Sequence, residues 1–398
     1  MEKLTYIIVG FIIIGWIIGL FKNKVSALVF ILFNLTIYYP NFTIGLDVDF
    51  ILKCLLLITA LYYIKLYGFK KHTIKIIVIT IILYFISMIN ADWNENYTRF
   101  ASLTAFFSLI LGILLYSVAW PTKYRMDLLK SISKLPLISI ALGLILSSIG
   151  LLDFFGRNGT GIAGASLATN LSFFGVVGIM ASLYLKIKIE SDLYRGLAYV
   201  NFLITALTLT RGGLLAAIIV LLPEIIDFTK SLFKKKKYFI IFLISVVVMI
   251  YPVNYIYHNI LERTFINGQV NTSGRTEAWM YIITLSTNKW IGNGYGFLKT
   301  VTDSNLKAFT AAHNEYIRLY VETGYLGIGI IISVFSMIFN KLIKENKFKG
   351  RILIITLLLS FMIYSYTDNT MTNFRFWIPF MITLGLIDNN SEIIKFKL

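Results

Sequence analysis

A few short stretches of this chain carry side chains suited to acid–base chemistry on an anionic substrate. His313-Asn314-Glu315-Tyr316 sets an imidazole among polar neighbours, with Arg318 about one helical turn further on. Imidazole takes up and returns protons near neutral pH, which makes His313 a possible general base. Ser273-Gly274-Arg275 precedes an amphipathic stretch from Glu277 to Leu285. A turn opening a helix exposes free N–H groups, and an arginine there adds a fixed positive charge, so the pair forms an anion site. Further arginines stand beside glycines in Arg211-Gly212-Gly213 and Arg157-Asn158-Gly159, and Arg375 closes a polar group with Asp368, Asn369 and Asn373. Read singly, each is also an ordinary structural feature: a capped helix start, a tight turn, an arginine at a helix end. Gly292-Asn293-Gly294-Tyr295-Gly296 lacks the βαβ surroundings of a dinucleotide site and reads as a turn that brings backbone close to a neighbour. No second histidine or cysteine stands at zinc-ligand spacing from His313.

Something must hold these stretches at one level, and the composition says what. The 398 residues have a mean hydropathy of +0.76, with 57% apolar and only 14% charged residues. Soluble chains carry roughly 45–50% apolar and about 25% charged residues, so a soluble enzyme, a disordered protein and a disulfide scaffold are excluded. The single Cys54 permits no intrachain disulfide. A net charge of +17 would suggest nucleic acid in a soluble protein; in a membrane protein it is a topology signal, and no nucleic-acid partner is expected.

Apolar runs near 5–21, 25–39, 48–66, 74–90, 100–119, 135–152, 162–185, 196–210, 211–229, 238–256, 315–340, 352–367 and 374–387 predict an all-α polytopic membrane bundle of about 12–13 transmembrane helices. The first run leads straight into another span with no small-x-small cleavage site, so it reads as retained. Alternate loops hold 25 of the 37 basic residues, which predicts that those loops are cytoplasmic, with the N-terminus outside and the C-terminus inside. Only three of those 25 are arginine, whereas Arg99, Arg157, Arg211, Arg263, Arg275, Arg318 and Arg375 all fall on the other side. Arginine suits bidentate, desolvated binding of phosphate or carboxylate. The outer ends therefore predict a shared polar cavity built from Arg157, Arg211, Arg275, Arg318 and Arg375. The one long loop, 257–314, is extracytoplasmic and predicts a cover over that cavity, within a single transmembrane domain 1–398.

The ordered set of Ser-Gly-Arg at 273–275, Trp290, the glycine turn 292–296, His313-Asn314-x-Tyr316 and the glycines 324 and 327, with Leu209-Thr210-Arg211-Gly212 upstream, resembles the O-antigen ligase and polymerase family, the Wzy-type enzymes. The resemblance runs from about Gly156 to Pro379. It implies a metal-independent, all-helical glycosyltransferase fold of the GT-C type with no cofactor, in the bacterial cytoplasmic membrane and with its active site outside. It implies a donor glycan on a polyprenyl pyrophosphate and a glycan acceptor, and leaves room for a chain-length regulator or flippase as partner. By position, Arg211 and Arg275 resemble the arginines that hold pyrophosphate and His313 the proposed base. The family often carries a Pro-Asn pair after its Arg-x-x-Gly, where this chain has Gly164-Ala165-Ser166.

The expected activity is polymerisation of lipid-linked repeat units of a surface polysaccharide, O-antigen or capsule, by inverting attack at C1. A ligase moving glycan to another acceptor is the near alternative. A transporter or flippase of the same lipid-linked glycan is the alternative of another class. Transporters gather polar groups at the midplane, whereas here they gather at the outer ends.

Overall fold

The computed structural model describes residues 2–22, 25–41, 47–156, 161–232, 254, 257–261, 265–266, 269–270, 274–301, 311–388 and 392–395. Helices dominate: α1 Glu2–Lys22, α2 Ser26–Leu35, α3 Val48–Tyr67, α4 Thr73–Met88, α5 Arg99–Ser117, α6 Thr122–Ile132, α7 Leu135–Ser148, α8 Ala168–Ile189, α9 Asp192–Leu207 and α10 Arg211–Leu232, then α11 Arg275–Thr284, α12 Glu315–Glu345, α13 Phe348–Thr367 and α14 Phe374–Ile387. Short 3-10 turns at Tyr39–Asn41 and Phe297–Lys299 and two-residue strand pairs, 69–70 with 393–394 and 265–266 with 269–270, join them. The chain is an all-α polytopic membrane protein.

Every predicted apolar run overlaps a helix except 238–256, which lies almost wholly outside the described residues. Among the described residues, six helices are long and apolar enough to cross a membrane, or seven if α6 and α7, bent by 46°, act as one span. Three further apolar helices, α2, α4 and α14, are shorter, and the expected run 238–256 lies almost wholly outside the described residues. The ten residues of α2 rise only about 15 Å. Charges also enter α9 at Asp192 and Arg195 and α10 at Glu224 and Asp227. Hydropathy marks a helix as apolar without saying that it reaches across.

The helices α8 and α14 form the centre. All of α14 from Phe374 to Ile387 is buried, which is why its sequence is apolar on every face. Gly112 of α5 leaves room for the Trp377 indole, whose Nε1 donates to the Leu109 carbonyl at 3.0 Å. By contrast α1 lies at the edge with Tyr6, Phe11, Ile14 and Ile18 exposed, as a lipid-facing helix requires.

One helix is broken. Gly324 in α12 adopts φ 63°, ψ −169°, and the turn 288–296 fills the gap. Asn293 and Gly294 donate to the carbonyls of Val321 and Glu322 at 2.8 and 3.0 Å, while Tyr325 and Leu326 donate to Lys289 and Trp290. A helix interrupted inside a membrane protein must have its freed backbone groups satisfied by protein, and this turn does so. A Cβ on Gly292 would collide with the Glu322–Thr323 backbone and one on Gly324 with Trp290. The close approach predicted for the glycine turn is therefore made, and its neighbour is the break in α12.

Candidate functional site

The turn that begins α10 is the first wall. Leu209 takes a left-handed φ of 55°, and α10 then starts at Arg211. Gly212 lies against the Thr367 side chain, where a Cβ would overlap it, and Gly213 against Ser172 of α8. Packing that tight admits only glycine, so the double glycine places the half-buried Arg211 beside the end of α13.

Arg275 reaches the same spot from outside. Gly274, at φ 75°, caps α11, and Arg275 Nη1 donates to the Thr367 carbonyl at 2.8 Å. Ser273 lies outside the described residues. Trp279 fixes the rest of α11, donating through Nε1 to the Ala312 carbonyl at 2.7 Å and meeting Tyr366 edge-on. Ile282, Leu298, Ala312 and Val321 form a small core that seats α11 and the 297–299 turn on α12.

His313 stands immediately before α12 with φ 45°, a conformation costly for a residue with a side chain. Its neighbours hold it there. Asn314 caps α12, its Oδ1 accepting from the Tyr316 and Ile317 amides at 3.0 and 3.2 Å, and its own N–H donates to Asn369 Oδ1 at 3.2 Å. His313 Nδ1 lies 3.2 Å from Asp368 Oδ1, which also accepts from the Asn369 amide at 2.8 Å. With hydrogen on Nδ1, this contact is a donation to Asp368 that holds the orientation of the imidazole ring.

A cavity of about 250 Å³ opens here, lined by His313, Asp368, Asn369, Thr372 and Asn373 on one side, with Lys299, Arg318 and Glu322 among its other walls. Lys299 is exposed on the cavity wall, yet protein surrounds much of it. That desolvation lowers its pKa below the ordinary lysine range, with Glu322 acting in the opposite direction.

The remaining predicted residues divide by their partners. Arg318 is buried between Glu315 and Glu322 and lies 5.0 Å from the Tyr295 ring centre. Arg375 is buried against Asp49, with contacts of 2.7 and 2.5 Å, and lies over Tyr38 and Phe374. Both guanidinium groups are thus engaged by carboxylates of the chain itself. Tyr316 points away from the cavity to the Met362 carbonyl at 2.8 Å. Arg157 lies outside the described residues. Arg211, Arg275 and His313 are therefore gathered around residues 367–368, while Arg318 and Arg375 are tied into the frame.

Sequence reasoning placed Asp368 in a polar group but gave it no part beside His313, and it passed over Lys299, Glu322 and Trp279. The signal for Asp368 was present: a carboxylate directly after an apolar span, at the same membrane end as His313. Among the described residues no three His, Cys, Asp or Glu side chains are grouped to hold a metal ion.

Residues 196–332, from within α9 to within α12, match the family model described as O-antigen ligase. No curated protein matches the chain.

Proposed function

We propose that this chain, whose residues 196–332 match the O-antigen ligase family model, is a membrane glycosyltransferase acting on glycan linked to a polyprenyl pyrophosphate. The observation that carries the reading is the His313–Asp368 pair on the cavity wall, next to Thr367, whose carbonyl accepts from Arg275 and whose side chain packs against Gly212 of the Arg211 turn.

The reaction needs no nucleotide, because the donor is already activated. An acceptor hydroxyl attacks C1 of the donor sugar while its proton passes to His313 Nε2. The C1–O bond to pyrophosphate breaks, and its electron pair leaves on the phosphate oxygen. Direct attack inverts the anomeric centre. Asp368 holds the imidazole in place and stabilises the imidazolium that forms. A positioned base of this kind contributes roughly 10²–10⁴-fold. Arg211 and Arg275 stabilise the growing charge on the pyrophosphate, and a preorganised donor in a water-poor site is worth about 2.7–4 kcal/mol. Arg157 belongs with them as a third outer-face arginine. Asn314, Arg318 and Arg375 set the depth and angle of His313, and Tyr316 anchors α12 to α13. Arginine charge replaces a divalent ion, so the reaction is metal-independent.

Within the family we favour a polymerase of surface polysaccharide repeats, O-antigen or capsule, over a ligase. The charge pattern of the loops supports a site on the outer face of the cytoplasmic membrane, where a chain-length regulator or flippase would be its partner. A flippase reading finds no support in the broken helix, because the turn 288–296 occupies the break. Deleting the gene tests polymerase against ligase. A polymerase mutant makes surface glycan one repeat long, whereas a ligase mutant accumulates full-length glycan that stays on its lipid.

A further inference from the structure

The ends of α8, α10 and α13 opposite the His313 cavity enclose a second cavity, larger at about 600 Å³ and within the usual range for ligand sites. The 20 residues of α13 run from Phe348 at this cavity to Thr367 at the other. That is roughly 30 Å, the thickness of a bilayer's hydrocarbon core. The two cavities therefore sit at the two headgroup levels. Much of the lining is apolar, from α8, α10 and α13, and Ile226 and Phe348 at its edge are exposed, so it opens toward acyl chains.

Its charges fall into two groups. The Glu224 side chain is 6% exposed and forms ion pairs with Lys186 and, at 2.6 Å, with Arg195, which also pairs with Asp192 at 2.9 Å. Those charges are matched within the protein. Glu190, Asp227 and Lys349 also line the cavity, are exposed, and have no ion-pair partner among the described residues. Two carboxylates and one ammonium form the complement of a headgroup that carries one primary ammonium and one phosphodiester.

We propose that this cavity is a phospholipid site that takes a zwitterionic aminophospholipid of the phosphatidylethanolamine type. Its ammonium lies between Glu190 and Asp227, its phosphate at Lys349, and its acyl chains along the apolar wall. The lysine-rich loops at this end make it the cytoplasmic leaflet. Within the lining the unpaired carboxylates outnumber the one ammonium, which sets the cavity apart from the lysine-rich loops around it, and carboxylate acceptors favour an ammonium with N–H donors over a quaternary one. The site stands apart from the glycosyl-transfer reading and uses none of its residues.

The test is native mass spectrometry of the full-length protein in detergent, mixed with equal amounts of phosphatidylethanolamine, phosphatidylcholine and phosphatidylglycerol. Phosphatidylethanolamine should be retained several-fold over each of the others. The double variant Glu190→Gln with Asp227→Asn should retain phosphatidylethanolamine and phosphatidylcholine equally, and Lys349→Gln should lose both. All three positions are exposed, so the variants should fold. Phosphatidylglycerol retained as well as phosphatidylethanolamine would overturn the headgroup assignment. A preference that survives in the double variant would place the lipid elsewhere on the protein.

Discussion

At the scale of single residues, the site works through who partners whom. His313 faces Asp368, and Arg275 binds a backbone carbonyl, whereas Arg318 and Arg375 are held by carboxylates. Asp368→Asn should keep a hydrogen-bonding side chain beside His313 but no longer stabilise the imidazolium. Turnover should fall at least tenfold with little change in substrate KM, read from initial rates at several pH values; an unchanged pH–rate profile would remove Asp368 from the mechanism. Arg211→Lys and Arg275→Lys keep the charge but lose the planar fork that meets two phosphate oxygens. Each should lose most activity, and full activity in both would mean that the arginines supply only a field. Some of this pattern was legible in the sequence. Glu315 and Glu322 stand three and four residues from Arg318 on one helix, a spacing that brings side chains together. The pairing of Arg375 with Asp49 spans 326 residues and that of His313 with Asp368 spans 55, and no local pattern reports contacts that distant.

At the scale of elements, the break in α12 sets where the site's chain segments lie. The turn 288–296 is bonded into the break, and the same turn leads to Leu298 and Lys299 on the cavity wall. Gly324→Ala puts a Cβ into the Trp290 backbone at a positive φ, whereas Gly329, a few residues along the same helix, has open space around it. Strain of this kind costs on the order of 1–3 kcal/mol. The thermal midpoint in detergent should drop clearly for Gly324→Ala and stay level or rise for Gly329→Ala; equal midpoints would mean that the break is not a fixed element. Hydropathy found the span 315–340 because its residues are apolar, but it could not show that a glycine interrupts the helix and that a distant turn fills the gap.

At the scale of the whole molecule, the reading of an apolar all-α bundle followed directly from composition. Hydropathy alone does not count the crossings, because short helices such as α2 and charged ones such as α9 look apolar over part of their length. The same scale carries the metal question. The loops that alternate with the lysine-rich ones hold seven of the ten arginines, the charge that the proposed mechanism uses in place of a divalent ion. Activity of the purified protein should survive excess EDTA and gain nothing from Mg²⁺ or Mn²⁺. Loss in EDTA with recovery on adding a divalent ion would overturn the arginine mechanism and turn attention to Asp368 as a ligand. The most direct test of glycosyl transfer is release of polyprenyl pyrophosphate from radiolabelled lipid-linked glycan in liposomes with no gradient, comparing wild type with His313→Ala. The wild type should release polyprenyl pyrophosphate as a longer or transferred glycan appears, and His313→Ala, inserted to the same level, should release almost none. Label crossing the bilayer with no pyrophosphate released, or equal release by the variant, would contradict the assignment.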